Sequence, residues 1–169
     1  NIYLQSTTGT ITTSAALTGT NISLDNTGGT INTTTGAITS GSSTGTSSNG
    51  VTTNATVTAN SGNISIAGVA IGITTSGVGF GVQTNAAMKT NISGDITIDG
   101  VSNNLVGFNN ASVGSITAAG ALKITGTMKN AGGYQGANIA GNLTGASVSL
   151  KGTSNGHYGV QSAATATIT

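Results

Sequence analysis

The sequence predicts an all-β chain wound as a right-handed parallel β-helix, a three-sided β-solenoid of about seven turns with no cap at either end. Three observations predict it: near-absence of charge, abundant glycine without proline, and short alternating strands recurring at regular spacing. Charged residues make up 4% of the 169 residues, against roughly 25% in an average domain. The formal net charge is +1. A chain so neutral is not kept soluble by repulsion, so it must pair its backbone edges and bury its apolar groups. Disorder pairs low hydrophobicity with high net charge. Here hydrophobic residues reach 36% and recur regularly. A helical reading fails on the 28 glycines, each worth about 1 kcal/mol against alanine in a helix interior.

The clearest repeat is a short alternating strand ending in glycine. It occurs as Gly62-Asn63-Ile64-Ser65-Ile66-Ala67-Gly68 and Gly94-Asp95-Ile96-Thr97-Ile98-Asp99-Gly100. It returns as Gly120-Ala121-Leu122-Lys123-Ile124-Thr125-Gly126 and Ala146-Ser147-Val148-Ser149-Leu150-Lys151-Gly152. The first apolar position advances by 32, 26 and 26 residues. A second unit follows each strand: Gly79-Phe80-Gly81-Val82-Gln83, Val106-Gly107-Phe108-Asn109, Tyr134-Gln135-Gly136-Ala137-Asn138 and Tyr158-Gly159-Val160-Gln161. A third strand is expected around Ile92, Ile116, Leu143 and Ile168. Three strands per repeat is the rhythm of a three-sided solenoid.

Residues 1–61 run on a tighter period of about 20, and 62–169 on turns of about 26, within a single solenoid segment. Ile2 and Leu4 map onto Ile22 and Leu24, Ile11 onto Ile31 and Val51, and Leu17 onto Ile38 and Val57. The turn spanning residues 38–63 has no unique register, because Ser42-Ser43-Thr44 replaces its expected apolar strand.

Alternation places Ile64 and Ile66 on one face and Asn63, Ser65 and Ala67 on the other. Glycines are read as turn residues supplying positive φ. One turn cannot bury its own apolar face, whereas stacked turns about 4.8 Å apart can. The predicted core ladder is Ile22, Leu24, Ile64, Ile66, Ile96, Ile98, Leu122, Ile124, Val148 and Leu150. Both ends of the chain read as strand, so it is expected to be a fragment of a longer chain. Its terminal turns would be covered by the remainder of that chain or by neighbouring protomers.

The chemistry-bearing residues are few: Asp25, Asp95, Asp99, His157, Lys89, Lys123, Lys129 and Lys151, with no Glu, Arg or Cys. Asp95 and Asp99 share a strand face about 13 Å apart at strand rise, beyond the roughly 5–9.5 Å carboxyl separations of glycosidases. They are read as a solvated face, with Lys123 stacking on Thr97 one turn away. A lone His157 in a turn-rich stretch makes a poor metal site. Tyr3, Phe80, Phe108, Tyr134 and Tyr158 are read as core or corner packing. Four scattered lysines make no basic stripe, which argues against nucleic acid. Thr10-Ile11-Thr12 and Thr56-Val57-Thr58 suggest an ice-matching face, but the pattern drifts to Ser, Asn, Ala and Lys in other turns. The expectation is therefore a non-enzyme with no catalytic residue, metal or cofactor.

Thr20-Asn21-Ile22-Ser23-Leu24, Gly28-Gly29-Thr30-Ile31 and the run from Val148 to Gly156, followed by Tyr158-Gly159-Val160, resemble the repeats of filamentous haemagglutinin-type exoproteins. The resemblance covers essentially the whole chain. It implies two-partner secretion through an outer-membrane transporter and a place at the bacterial cell surface. It also implies a rod of a large adhesin, with cell-surface glycans or matrix polysaccharide as partners and a part in adhesion or biofilm. The Asn-Pro motifs of that family's secretion domain are missing from this proline-free chain, so the resemblance points to rod alone. A self-assembling extracellular fibre is the alternative, and a carbohydrate-active β-helix a weaker one.

Overall fold

β-Branched residues alternating with small polar ones make each repeat a strand with one wet face. Stacking then satisfies its backbone through the neighbouring turn. The computed structural model describes residues 2–6, 11–13, 22–26, 31–33, 42–43, 49–53, 57–70, 79–111 and 114–169. The early strands are β1 (Ile2–Ser6), β2 (Ile11–Thr13), β3 (Ile22–Asn26), β4 (Ile31–Thr33), β5 (Ser42–Ser43), β6 (Val51–Thr53) and β7 (Val57–Ser61). Three complete turns follow: β8 (Ile64–Ala70), β9 (Val82–Thr84) and β10 (Met88–Ser93), then β11 (Ile96–Ser102), β12 (Phe108–Asn110) and β13 (Ile116–Thr117), then β14 (Ala121–Ala131), β15 (Ala137–Ile139) and β16 (Leu143–Thr144). The chain goes on through β17 (Ser147–Asn155) and β18 (Val160–Ser162), and Ile168 bridges to Leu143.

The fold is all-β, a parallel β-solenoid of about three complete turns, with no helix among the described residues. The first wall runs β1-β3-β8-β11-β14-β17, the second β6-β9-β12-β15-β18 and the third β7-β10-β13-β16. On the first wall, Ile64 pairs with Ile96, Ile96 with Leu122 and Leu122 with Val148. Ile66, Ile98, Ile124 and Leu150 form the neighbouring column. Ile64, Ile66, Ile96, Ile98, Leu122 and Ile124 are fully buried, while Val148 and Leu150 are half-buried. Burying such a side chain contributes about 1.5–3 kcal/mol. The second wall adds Val51, Val82, Phe108 and Ala137, the third Val57, Met88, Ile116 and Leu143. Large Phe108 between Val82 and Ala137 fits the rule that neighbouring core positions trade volume.

Several expectations are corrected. The strands do not end at the repeating glycines: Gly68, Gly100, Gly126 and Gly152 lie within β8, β11, β14 and β17, in register with one another. Positive φ occurs instead at Gly62, Gly79, Gly94 and Gly156. The in-strand glycines are required for lack of space. A Cβ at Gly68, Gly100, Gly126 or Gly152 would fall on the backbone oxygen of Gly81, Gly107, Gly136 or Gly159 respectively. Two glycine columns thus close the corner between the first and second walls, backbone against backbone.

The third wall is set by Met88, not Ile92. Met88 pairs with Val57 and Ile116, while Ile92 is 79% exposed at the far end of β10. Spacing favoured isoleucine, and Ile92 has the same parity as Met88, but the pairing of β10 with β7 shifts register between Thr90 and Ser93, so the inward alternation ends at Thr90. In the second wall the glycines, rather than the aromatics, align the units, so Phe108 stacks on Val82 and not on Phe80.

In the early turns, Ile2 pairs with Ile22, Leu4 with Leu24 and Ile11 with Ile31. Among the described residues no ladder pair joins Ile31 to Val51, and Leu17 and Ile38 lie outside them. Ile22 and Leu24 pair directly with Ile64 and Ile66, whereas Ser42 and Ser43 pair with Val69 and Ala70 at the other end of β8. The serine strand is therefore no separate layer in the ladder. It has no apolar side chain to extend the column.

Candidate functional site

Among the residues whose side chains are described, the charged ones are spread over the outer faces. Register stacks Ser65, Thr97, Lys123 and Ser149 in one outward column of the first wall, and Ala67, Asp99, Thr125 and Lys151 in the next. Lys123 thus lies beside Thr97, diagonal to Asp99, and no ion pair forms among the described residues. On the third wall Lys89 is in register with Thr58 before it and with the exposed Thr117 and Thr144 after it. No group of three metal-ligating side chains occurs among the described residues.

Asp95 has a structural task. Its backbone N–H donates to Asn63 Oδ1 at 2.8 Å, and its own Oδ1 accepts from Ala121 N at 2.8 Å. Asn63, Asp95 and Ala121 occupy the same place in successive turns, just ahead of the inward isoleucine or leucine. Each side chain satisfies the first amide of the next turn, as a cap does for a helix end. Asp99 stands on the open face of β11 and takes no part in this relay.

The second wall carries a column of neutral side chains. Thr52, Gln83, Asn109, Asn138 and Gln161 are in register. Asn138 Nδ2 donates to Asn109 Oδ1 at 2.8 Å. At the start of the column Asn49 Nδ2 donates to Gln83 Oε1 at 2.7 Å and Thr52 Oγ1 at 2.9 Å. Near its end Gln135 donates to Gln161. Stacked amides of this kind reinforce parallel in-register strands.

Inside the coil a second polar column was not anticipated. Thr53, Thr84 and Asn110 are in register and fully buried. Asn110 Nδ2 donates to Thr84 Oγ1 at 3.0 Å and to the Gly114 carbonyl, while its Oδ1 accepts from Gly141 N at 2.7 Å. Thr90 Oγ1 donates to Gly94 O at 3.0 Å and accepts from Ala119 N at 2.8 Å. Ser102 Oγ donates to Gly79 O at 2.6 Å and accepts from Leu105 N at 2.9 Å. Asn110, Thr90 and Ser102 fasten the corners, where turning backbone leaves amides without ladder partners, whereas the buried Thr53 hydroxyl has no hydrogen-bond partner among the described residues. The only sequence signal was parity: each lies an even number of residues from a core position.

The aromatic residues do not share one role. Phe108 is fully buried and Phe80 half-buried, but Tyr134 is 38% and Tyr158 63% exposed. Of the core-or-corner reading, the core half does not hold for these two tyrosines: each lies exposed at the outer corner after a long first-wall strand. The side chain of Tyr3 is outside the described residues. His157 is exposed and meets Tyr158 edge to face, with ring centroids 4.6 Å apart. Comparison with known protein families, characterised proteins and solved structures finds no match to this chain.

Proposed function

We propose that this chain is a structural rod segment of a large secreted bacterial surface adhesin or exoprotein of the filamentous haemagglutinin type. Its role is adhesion or matrix architecture rather than catalysis. Right-handed winding, about seven turns in all and ends without caps belong to the same reading. The observation that supports it is the first wall: aliphatic residues stack on aliphatic residues from turn to turn, while the few described charges are dispersed over the outside. Such a coil gains length by adding turns without changing its cross-section, which is the mechanical property of a stalk. Its partners in this reading are the rest of its own chain, an outer-membrane transporter during export, and surface glycans or matrix polysaccharide.

The second reading is a fibre of short copies stacked end to end. Native mass and negative-stain imaging of material from the source separate the two. A chain of several times this mass, with the segment inside a thin rod, supports the adhesin. Many short copies in a filament replace it with the fibre, and a compact soluble monomer of this length defeats both.

A further inference from the structure

Ser-Asn-Gly occurs twice in the chain, at 48–50 and at 154–156, and the two copies are held in opposite ways. Asn49 Oδ1 accepts from Phe80 N at 3.0 Å, and its Nδ2 donates to Thr52 Oγ1 at 2.9 Å and Gln83 Oε1 at 2.7 Å. The following amide is engaged as well: Gly50 N donates to Phe80 O at 2.8 Å, and Gly50 is buried. Asn155 and Gly156 are both exposed. The Asn155 carboxamide makes one long bond, from Nδ2 to Lys129 O at 3.4 Å. Among the described residues the Gly156 N–H has no hydrogen-bond partner. Gly156 has φ +113°, and a Cβ there would meet nothing nearer than 3.8 Å.

We propose that Asn155 is a site of spontaneous modification, deamidating through a succinimide, and that Asn49 is the protected copy of the same tripeptide. The Gly156 amide nitrogen gives up its proton to a solvent base and attacks Cγ of Asn155. The N–Cγ bond forms, the Cγ–Nδ2 bond breaks, and ammonia leaves. Water then adds to either carbonyl of the ring and opens it, leaving aspartate or isoaspartate at position 155. No oxidant or reductant enters the balance. Attack requires the carboxamide to swing onto the next nitrogen. Open backbone permits that at Gly156, and the hydrogen bonds at Asn49 and Gly50 forbid it.

The exposure belongs to the corner, not to the last turn. In the preceding turn Ala131, Gly133 and Tyr134 are exposed and Gly132 is half-buried at the same corner, although β17 and β18 stack beyond them. The product places a negative charge at the end of β17. As isoaspartate it also adds a methylene to the backbone there, next to the point where pairing with β14 already shifts register. The modification would act as an ageing mark on that corner, independently of what the rod carries.

The test is to age the purified chain in mildly alkaline buffer, folded and in urea. Conversion is followed by peptide mass mapping and by isoaspartyl methyltransferase labelling. In the folded chain Asn155 should convert roughly tenfold or more faster than Asn49, because Asn49 reacts only after local opening. In urea the two rates should converge, and Asn155→Gln should remove the fast product from the folded chain. Asn155 staying intact while the urea sample converts would overturn the proposal, as would equal rates at both sites in the folded chain.

Discussion

Glycine occupies two contrasting regions of this coil. Where the first wall meets the second, Gly100 is buried within β11, and a Cβ on it would overlap the carbonyl of Gly107. At the outer corner after β14, Gly133 is exposed, and a Cβ on it would meet nothing within 4 Å. The seam needs glycine because two backbones share the space. The corner needs only a chain that can bend. The difference shows what fixes the cross-section: how closely two walls approach along columns of missing side chains, as much as what fills the interior.

The strongest test strikes the seam side of the core. Ile98 is fully buried two residues before Gly100, so Ile98→Asp places an unpaired charge in an apolar column. The variant should unfold or aggregate, read by thermal melting and light scattering; an unchanged melt would break the assigned register. Gly100→Ala should come next, at about 3 kcal/mol or more by urea unfolding, since the obstacle is backbone and not a side chain that can rotate away. A loss under about 0.5 kcal/mol would show that the walls can part.

A smaller effect is expected at the buried polar column. Asn110→Ala strips Gly141 N and Gly114 O of their side-chain partner and should destabilise by about 1–3 kcal/mol. Faster hydrogen exchange should be confined to the corner between the second and third walls. Gly133→Ala and the outward Ser65→Asp should shift stability by less than about 0.5 kcal/mol. A large loss at Gly133 would erase the contrast between seam and corner.

Much of this architecture was legible because a strand repeats every two residues and a solenoid turn repeats at its own length. Ile64, Ile96, Leu122 and Val148 could be aligned by counting, and pairing places them so. Counting misled where a turn keeps its apolar character but changes its length. Ile92 looked like the partner of Ile116, yet Met88 holds that place. The sequence left core and corner open for Tyr134 and Tyr158, and only the structure shows both rings exposed at a corner. The relay through Asn63 and Asp95 was hidden because its partner amides lie 32 and 26 residues away.

By itself the sequence determined that the chain is all-β, that its strands alternate, and that they repeat in stacked turns. Those properties follow from local periodicity and from a composition too poor in charge to leave apolar strands open. Tertiary structure alone decided why glycine stands inside the strands, which residue of β10 faces the core, and which of two identical Ser-Asn-Gly segments is locked. Each of these depends on what another turn or wall places within a few ångströms, and local sequence does not encode that distance.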